Sequence, residues 1–189
     1  MIFPILNRLP YFILFYSVLL WSNTTSQGEA YEYFINGECA LLHKDYSQAE
    51  SDYSKALLLA PDSPTILQSL GDLKSYQDEY ADAIKYLEII IELDPENKET
   101  GLKLFQLYIQ EENQDGAYEL LDTLLKYHPY DIELLYSRSN IQYLNQDWPN
   151  LLKTYHSIYL SDPDNMDILL KIYEIGLATD NISIVLEII

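Results

Sequence analysis

Proline recurs at a fixed interval through most of this chain, at Pro61, Pro95, Pro129 and Pro163, each 34 residues after the last. A proline lacks a backbone N–H and disfavours helix in the residue before it, so each of these prolines marks a helix boundary. Glycine is sparse, with 6 in 189 residues, and the segments between the prolines show polar–apolar periodicity, which favours helices over a turn-rich β protein. A helix boundary at constant spacing therefore predicts a chain built from a repeated helical unit.

Placing each proline at position 32 of a 34-residue unit divides the chain into four blocks, 30–63, 64–97, 98–131 and 132–165, and a partial fifth block, 166–189. Each block holds an apolar-periodic segment, a polar break and a second such segment, which predicts a pair of antiparallel helices. The blocks also share residue types at positions 8, 20 and 24: Gly37, Gly71, Phe105 and Ser139; Ala49, Ala83, Ala117 and Leu151; Tyr53, Leu87, Leu121 and Tyr155. Small residues let two helices approach closely, and stacking buries the apolar stripe that a single pair leaves exposed.

This pattern resembles the tetratricopeptide repeat family, in which small residues occupy positions 8, 20 and 27 and proline occupies position 32. The first two blocks match it closely, at Gly37, Ala49, Ala56 and Pro61 and at Gly71, Ala83 and Pro95. Phe105 in the third block and Ser139 and Leu151 in the fourth depart from it, which leaves the helix packing there open. The resemblance covers residues 30–189 and implies an all-α, right-handed superhelical solenoid of antiparallel helix pairs over residues 28–189.

Residues 1–27 differ from the rest of the chain. After Arg8 comes an apolar stretch, Leu9 to Trp21, and then a small, polar tail, an order that is typical of a secretory signal peptide with cleavage after Ser26. The alternatives are an uncleaved membrane anchor, although 13 apolar residues are few for a span of about 20, and a misassigned start. We therefore expect an exported protein, in the periplasm, in the cell envelope or secreted, that meets a membrane only through residues 1–27.

The sequence contains no motif that would carry catalysis or bind a cofactor. It has no phosphate-binding glycine loop, no nucleophile elbow, no HExxH and no CxxC. Its three histidines are dispersed, and the single cysteine, Cys39, lies in an apolar helical pattern and is predicted to be a buried core residue. We therefore predict a protein that is not an enzyme and that has no catalytic residue, metal site or cofactor. Two N-glycosylation sequons, at Asn23 and Asn181, matter only if a eukaryote exports the protein.

The chain is strongly acidic, with 30 Asp and Glu against 11 Lys and Arg and a formal net charge of −19. Such a surface repels phosphate backbones, which argues against nucleic acid as a partner. A basic or neutral protein segment is the better candidate, although a solvated acidic surface explains the same composition.

The resemblance implies that the first helices of successive blocks line a concave groove through positions 2, 5, 9, 12 and 13. Transferred to this sequence, these positions give an aromatic, amide-rich and acidic set: Tyr31, Phe34, Glu38, Gln68, Asp72, Tyr76, Glu99, Gln106, Gln110, Tyr136, Asn140 and Tyr143. Tyrosine offers rigid contact area with a polar tip, which suits peptide recognition. Family members that grip a C-terminal carboxylate use basic and asparagine residues at positions 5 and 9, where this chain has Phe34 and Glu38, so we do not expect a chaperone-tail adaptor.

We therefore predict a non-catalytic scaffold for protein–protein interaction that binds a peptide or protein segment in an acidic and aromatic groove. Two alternatives remain: the truncated N-terminal repeat region of a larger enzyme or assembly, and a self-assembling structural protein. Both rest on the apolar segment Ile182 to Ile189, in which Glu187 is the only charged residue. Terminal repeats normally have a polar outer face, so this segment is expected to be covered by more chain or by a second copy.

Overall fold

The computed structural model describes the backbone of residues 9–188 and the side chains of residues 26–187. Within that range the chain consists of helices joined by short turns and contains no strand. Its ten α-helices are α1 (Leu9–Leu42), α2 (Tyr46–Leu59), α3 (Pro64–Tyr76), α4 (Tyr80–Leu93), α5 (Lys98–Gln110), α6 (Gln114–Tyr127), α7 (Ile132–Leu144), α8 (Trp148–Ser161), α9 (Met166–Ala178) and α10 (Ile182–Ile188). The predicted all-α fold class is confirmed.

The helices begin at the same 34-residue interval as the prolines. The first helices of blocks two to five, α3, α5, α7 and α9, start at positions 64, 98, 132 and 166, and the second helices, α2, α4, α6, α8 and α10, start at 46, 80, 114, 148 and 182. Each of α2, α4, α6 and α8 ends two residues before a recurrent proline. The residue between, such as Ala60 (ψ 72°) or Asp162 (ψ 81°), leaves the helical backbone conformation, as a following proline requires. The prolines therefore end the second helix of each block.

The turn between the two helices of a block has one conformation, which occurs five times in the described part of the chain. Its central residue has a left-handed backbone and falls at the same position of every block: Lys44 (φ 61°), Asp78 (61°), Glu112 (56°), Gln146 (56°) and Asp180 (57°). The amide of the next residue donates to the carbonyl five residues back, as Asp147 N does to Gln142 O at 2.9 Å. This is the Schellman arrangement, in which backbone hydrogen bonds satisfy the last carbonyls of the first helix. Glycine is the usual residue at the left-handed position, but none occupies it here.

The N-terminal unit, residues 1–89, contains α1, α2, α3 and the first part of α4. Its apolar core consists of buried residues from α2 and α3: Ala49, Tyr53, Ala56, Ile66, Leu70 and Leu73. Gly37 of α1 and Gly71 of α3, both at position 8, lie against the large residues at position 24. A β-carbon at Gly37 would lie 2.6 Å from the ring of Tyr53, and one at Gly71 would lie 2.9 Å from Leu87 Cδ2. The two helices of each block approach this closely only because position 8 is glycine.

Cys39 was predicted to be buried, and this prediction is wrong, because the cysteine is exposed. It occupies position 10 of the first block. The equivalent residue of the second block, Leu73, is 2% exposed and packs among residues of α2 in the preceding pair. No helix pair precedes the first block among the described residues, so position 10 there lacks the neighbour that buries it elsewhere.

The C-terminal unit, residues 90–189, contains the end of α4 and helices α5 to α10. Here the close contact between paired helices moves along the first helix. In block three position 8 is a phenylalanine, and Gly101 at position 4 lies against Leu124 at position 27, where an added β-carbon would be 2.6 Å from Leu124 Cδ1. In block five Gly176 at position 11 lies against Val185 at position 20. In both blocks a large residue at a small position of the second helix is matched by a glycine in the first.

Helix α1 continues without a break from Leu9 through residue 27 into the first block. The predicted signal peptide or anchor, residues 1–27, and the sequon at Asn23 fall almost wholly outside the described side chains and stay predictions. Of the helices that the structure describes, none combines the length and the apolar character that a membrane crossing requires.

Candidate functional site

In the N-terminal unit, two of the predicted groove residues line one pocket. Tyr31 and Phe34 on α1 meet Thr65 and Ile66 at the start of α3 around a mainly apolar hollow of about 280 Å³. The rest of the wall comes from α1 and the turn before α3: Gln27, Ala30, Ala60 and Ser63. Phe34 is held in place because its ring centre lies 5.9 Å from that of the buried Tyr53. Tyr31 is 66% exposed and remains free to contact a partner.

Glu38, the third predicted residue on α1, has a structural role within the unit. Its Oε1 accepts hydrogen bonds from the Tyr53 hydroxyl at 2.7 Å and from Ser69 Oγ at 3.3 Å. Burial and the hydrogen bond to the Glu38 carboxylate raise the pKa of Tyr53, so this tyrosine stays protonated. Glu38 therefore supplies the acceptor that a buried tyrosine hydroxyl needs, which its sequence position alone did not indicate.

On α3, the predicted residues Gln68, Asp72 and Tyr76 lie along one exposed side. Gln68 Nε2 donates to Asp72 Oδ1 at 2.9 Å. The ring of Tyr76 is strongly exposed on one side and lies 5.1 Å, centre to centre, from the ring of Tyr46 on α2. The aromatic pair Tyr46–Tyr76 thus limits the motion of a tyrosine that the sequence places on the binding surface.

In the C-terminal unit the predicted residues lie on α5 and α7, and most are exposed: Glu99, Gln106, Gln110, Asn140 and Tyr143. Tyr143 contacts Trp148 edge-on, with 5.7 Å between ring centres. Tyr136 is half-buried, and its hydroxyl accepts a long hydrogen bond, 3.4 Å, from Asn165 Nδ2. These residues give the unit an exposed polar and aromatic surface, whose role in binding stays a prediction.

Exposed aliphatic residues occupy the same positions of the first helices, and the sequence analysis did not include them. They are Leu42, Ile109 and Leu144, and in the fifth block Leu170 and Leu177. Each falls at position 5, 12 or 13, so the repeat register was sufficient to find them. Their exposure makes the first-helix surfaces more apolar than the polar and aromatic selection indicated, and exposed apolar surface is typical of contact sites.

A buried lysine forms an ion-pair site in the N-terminal unit. Lys74, on α3, is 7% exposed, and its Nζ lies 2.6 Å from Glu50 Oε1 and 2.7 Å from Glu79 Oε2. Burial lowers the pKa of Lys74, but the hydrogen bonds with Glu50 and Glu79 outweigh it, so that the pKa is raised above its usual value. The ammonium is therefore a fixed structural charge that joins α2, α3 and the turn before α4.

The C-terminal unit contains a polar pocket of about 480 Å³ where α6, α7 and α8 meet. Three carboxylates and several amide groups line it: Gln114, Asp115, Tyr118, Glu119, Gln142, Asn145, Asp147 and Asn150. Gln142 is 3% exposed, and its Oε1 has no hydrogen-bond partner among the described residues. The sequence analysis missed both this pocket and the Lys74 site, because each is defined by burial at position 11 of a block.

At the other end of this unit, α9 and α10 enclose a small apolar hollow of about 190 Å³. Tyr173, Leu177, Ile182 and Leu186 line it and are all exposed, with Val185 buried beneath them. The predicted self-association through this end stays a prediction. Asn181 lies in the turn before α10, where its Nδ2 donates to Thr179 Oγ1 at 2.8 Å.

Within the described side chains, no three His, Cys, Asp or Glu residues are close enough together to hold a metal ion. The functional candidates of this part of the chain are therefore surfaces and pockets for organic groups. These are the first-helix surface of each unit and the polar pocket between α6, α7 and α8.

Comparison with known proteins agrees with the repeat register. The tetratricopeptide repeat family profile matches residues 76–141. The fold is similar to that of MamA protein (18% identity, 85% of this chain and 86% of that chain, TM-score 0.58) and of YrrB, described as a TPR protein with an unusual peptide-binding site (17% identity, 82% and 80%, TM-score 0.57). A tetratricopeptide repeat protein from Parabacteroides merdae ATCC 43184 is also similar (17% identity, 85% of this chain and 64% of that chain, TM-score 0.62). A comparison with curated protein sequences finds no match.

At such identities the structural similarity concerns the fold alone. Combined with the in-phase prolines and the profile match, it places the chain in one family. The chain is a tetratricopeptide repeat protein.

Proposed function

We propose that this protein is a non-catalytic scaffold that binds a protein or peptide segment on the first-helix surfaces of its repeats. The observation that carries the proposal is the pocket of about 280 Å³ in the N-terminal unit, because it places the exposed Tyr31 beside an apolar hollow that Phe34 and Ile66 line. A buried hollow next to a rigid aromatic ring is the usual setting of a binding hot spot. The relative YrrB, described as having a peptide-binding site, supports this use of the fold.

The partner that fits best is a basic or neutral segment with an apolar side chain. The apolar side chain would enter the pocket beside Tyr31, and exposed carboxylates such as Asp72 and Glu99 would favour positive charge along the segment. With a net charge of −19, the protein would attract a basic partner over several ångströms, and added salt would slow their association. A neutral partner would bind with little dependence on salt.

The test is selection of peptides from a random displayed library on the full chain, followed by titration of the selected peptides with the Tyr31→Ala variant. We expect that variant to bind at least about tenfold more weakly, because truncation of a hot-spot aromatic costs roughly 1–3 kcal/mol. The matched control is Tyr130→Ala, since Tyr130 is equally exposed, 66%, but lies in an inter-block turn away from the first helices. Equal binding by the two variants would contradict the proposal.

We also propose that the protein is exported through residues 1–27, as a signal peptide cleaved after Ser26 or as a retained anchor. Cleavage would leave Gln27, which lines the pocket beside Tyr31, at the new N-terminus. Mass measurement of the mature protein from its own cell distinguishes cleavage from retention. Recovery of the whole chain in the cytoplasm would contradict export.

A further inference from the structure

The polar pocket of the C-terminal unit has a counterpart in the N-terminal unit that a lysine fills. Two blocks separate the two sites, so corresponding residues differ by 68 in number: Lys74 and Gln142, Glu50 and Tyr118, Glu79 and Asp147. In the N-terminal unit the ammonium sits between two carboxylates, at 2.6 and 2.7 Å. The same backbone framework is therefore able to surround a lysine ammonium, and it does so once within this chain.

In the C-terminal unit the group at the lysine position is shorter and carries no charge. Gln142 donates from Nε2 to the Tyr118 hydroxyl at 3.3 Å, while its Oε1 is buried and has no hydrogen-bond partner in the described part of the chain. A buried acceptor without a donor costs on the order of 1–3 kcal/mol, so the unliganded pocket holds an unmet hydrogen bond. A donor that enters the pocket would satisfy it.

The pocket also has more negative charge than its counterpart. Asp147 corresponds to Glu79, and the carboxylates of Asp115 and Glu119 lie where the N-terminal unit has Ser47 and Ser51. No basic side chain among residues 26–187 pairs with Asp115, Glu119 or Asp147. The Asp147 carboxylate does not cap α8 and instead accepts from Asn150 Nδ2 at 2.8 Å. The C-terminal site has thus lost the internal cation and gained two carboxylates.

We propose that this pocket binds the lysine side chain of a partner protein, with its ammonium in the place that Lys74 Nζ holds in the N-terminal unit. The three N–H donors of the ammonium match three acceptors, the Gln142 Oε1, the Tyr118 hydroxyl and the Asp147 carboxylate. Asp115 and Glu119 are exposed at the mouth of the pocket and attract the cation. The pocket shares no residue with the first-helix surface, and the inference rests on the proposed function only in taking the partner to be a protein.

Lysine fits this pocket better than arginine or a metal ion. A guanidinium is a planar fork that prefers both oxygens of one carboxylate, whereas the acceptors here belong to separate residues on three helices. A divalent metal needs several ligands at one point, and the described carboxylates of the pocket are too far apart to form such a group. An ammonium with independent donors suits acceptors that are spread around it.

The test uses the full chain labelled with ¹⁵N and acetyl-lysine-methylamide as the probe. We expect saturable shifts, in the millimolar range of probe, of the backbone signals of Asp115, Asn145 and Asp147 and of the side-chain amide of Gln142. The matched probe, acetyl-norleucine-methylamide, has the same apolar stem without the ammonium and should cause no such shifts. Added salt should weaken the response to the lysine probe, because the mouth of the pocket is exposed.

Gln142→Lys is the decisive variant, because it supplies the ammonium from within the chain. The fold accepts lysine at this position of a block, as Lys74 shows, and we expect the variant to bind the probe at least about tenfold more weakly. Asp147→Asn is the second variant, which removes a charge but keeps the size of the side chain. Asparagine serves as well as aspartate before a helix, so the fold should be unchanged while binding weakens by about tenfold.

Several results would overturn the proposal. The pocket is not a lysine site if its signals do not shift, if the norleucine probe shifts them equally, or if Gln142→Lys responds like the wild type. Mg²⁺ or Ca²⁺ binding with the same shifts, in competition with the probe, would make it a metal site instead. None of these results bears on the first-helix surface, which the Tyr31→Ala titration measures separately.

Discussion

The N-terminal and C-terminal units follow one 34-residue register but satisfy corresponding positions in different ways. At position 11 the N-terminal unit places Lys74 among its own carboxylates, whereas the C-terminal unit places Gln142 in a pocket that lacks a cation. The glycine that admits close helix contact stands at position 8 in the N-terminal unit and at positions 4 and 11 in the C-terminal unit. The register therefore fixes the backbone, while side-chain partners are chosen separately within each unit.

The largest effect should come from removing the large partner of a displaced glycine. Leu124 is fully buried, and Leu124→Ala should lower the free energy of unfolding by about 2–5 kcal/mol. Gly101→Ala alone should also destabilise, because its β-carbon would collide with Leu124. In the Leu124→Ala background the collision is absent, and Gly101→Ala should be neutral or stabilising by up to about 1 kcal/mol, since alanine favours helix. Urea unfolding followed by circular dichroism measures each variant.

Gly28→Ala is the control for this cycle, because a β-carbon at Gly28 on α1 would meet open space. It should stabilise slightly and to the same extent with Leu124 or Ala at position 124. If Gly101→Ala has the same effect in both backgrounds, the glycine is not there to accommodate Leu124.

Exchanging the residues at position 11 should have opposite effects in the two units. Lys74→Gln leaves Glu50 and Glu79 without their cation and should lower the free energy of unfolding by about 1–2 kcal/mol, less than for a fully buried pair because both carboxylates are partly exposed. Gln142→Lys should raise it by about 0.5–1 kcal/mol, since it meets an unpaired acceptor and a carboxylate. Thermal unfolding of the two variants compares them directly, and a loss of stability in both would show that the sites are not equivalent.

The effect of Lys74 should also depend on pH. Its carboxylate partners raise its pKa above the usual 10.5, so the folded chain holds this proton more tightly than the unfolded chain. The resulting stabilisation is complete below about pH 10.5 and is lost as the pH rises through the folded pKa. The difference in unfolding free energy between the wild type and Lys74→Gln, measured by urea titration, should therefore shrink at alkaline pH. A difference that grows there would contradict the ion-pair assignment.

The smallest effect should come from the left-handed turn residues, which are alike in both units. Glu112→Gly should raise the free energy of unfolding by about 0.5 kcal/mol, because glycine avoids the steric cost of φ 56° but gains entropy in the unfolded chain. Asp78→Gly should gain less, since aspartate tolerates this conformation better. The control is Gln106→Gly on α5, which should destabilise by about 1 kcal/mol. Equal losses for Glu112→Gly and Gln106→Gly would show that residue 112 is not left-handed in solution.

Sequence alone predicted the helices because their boundaries are set by local chemistry. Proline ends each second helix whatever surrounds it, and polar breaks separate the paired helices, so the all-α, repeated fold was readable from spacing. The turn geometry was not, because lysine, aspartate, glutamate and glutamine occupy the left-handed position and share no side-chain feature that requires it. The turn is closed by backbone hydrogen bonds, which the sequence does not encode directly.

The binding surface was predictable only as far as the register reaches. Position numbers placed Tyr31 and Phe34 together correctly, but they did not show that Glu38 holds the Tyr53 hydroxyl. They also could not separate Cys39, which is exposed, from the equivalent Leu73, which is buried. Burial depends on the neighbouring block, and the lysine and glutamine at position 11 look like ordinary surface residues until that block is in place.

The glycine contacts have a consequence for how such chains can be recombined. Each glycine that a β-carbon would displace meets a residue of its own block: Gly37 and Tyr53, Gly71 and Leu87, Gly101 and Leu124, Gly176 and Val185. A single helix moved from one block to another would arrive with a gap or a clash in place of its partner. Whole helix pairs, by contrast, carry their internal fit with them, so the interchangeable part of this molecule is the block of 34 residues and not the helix.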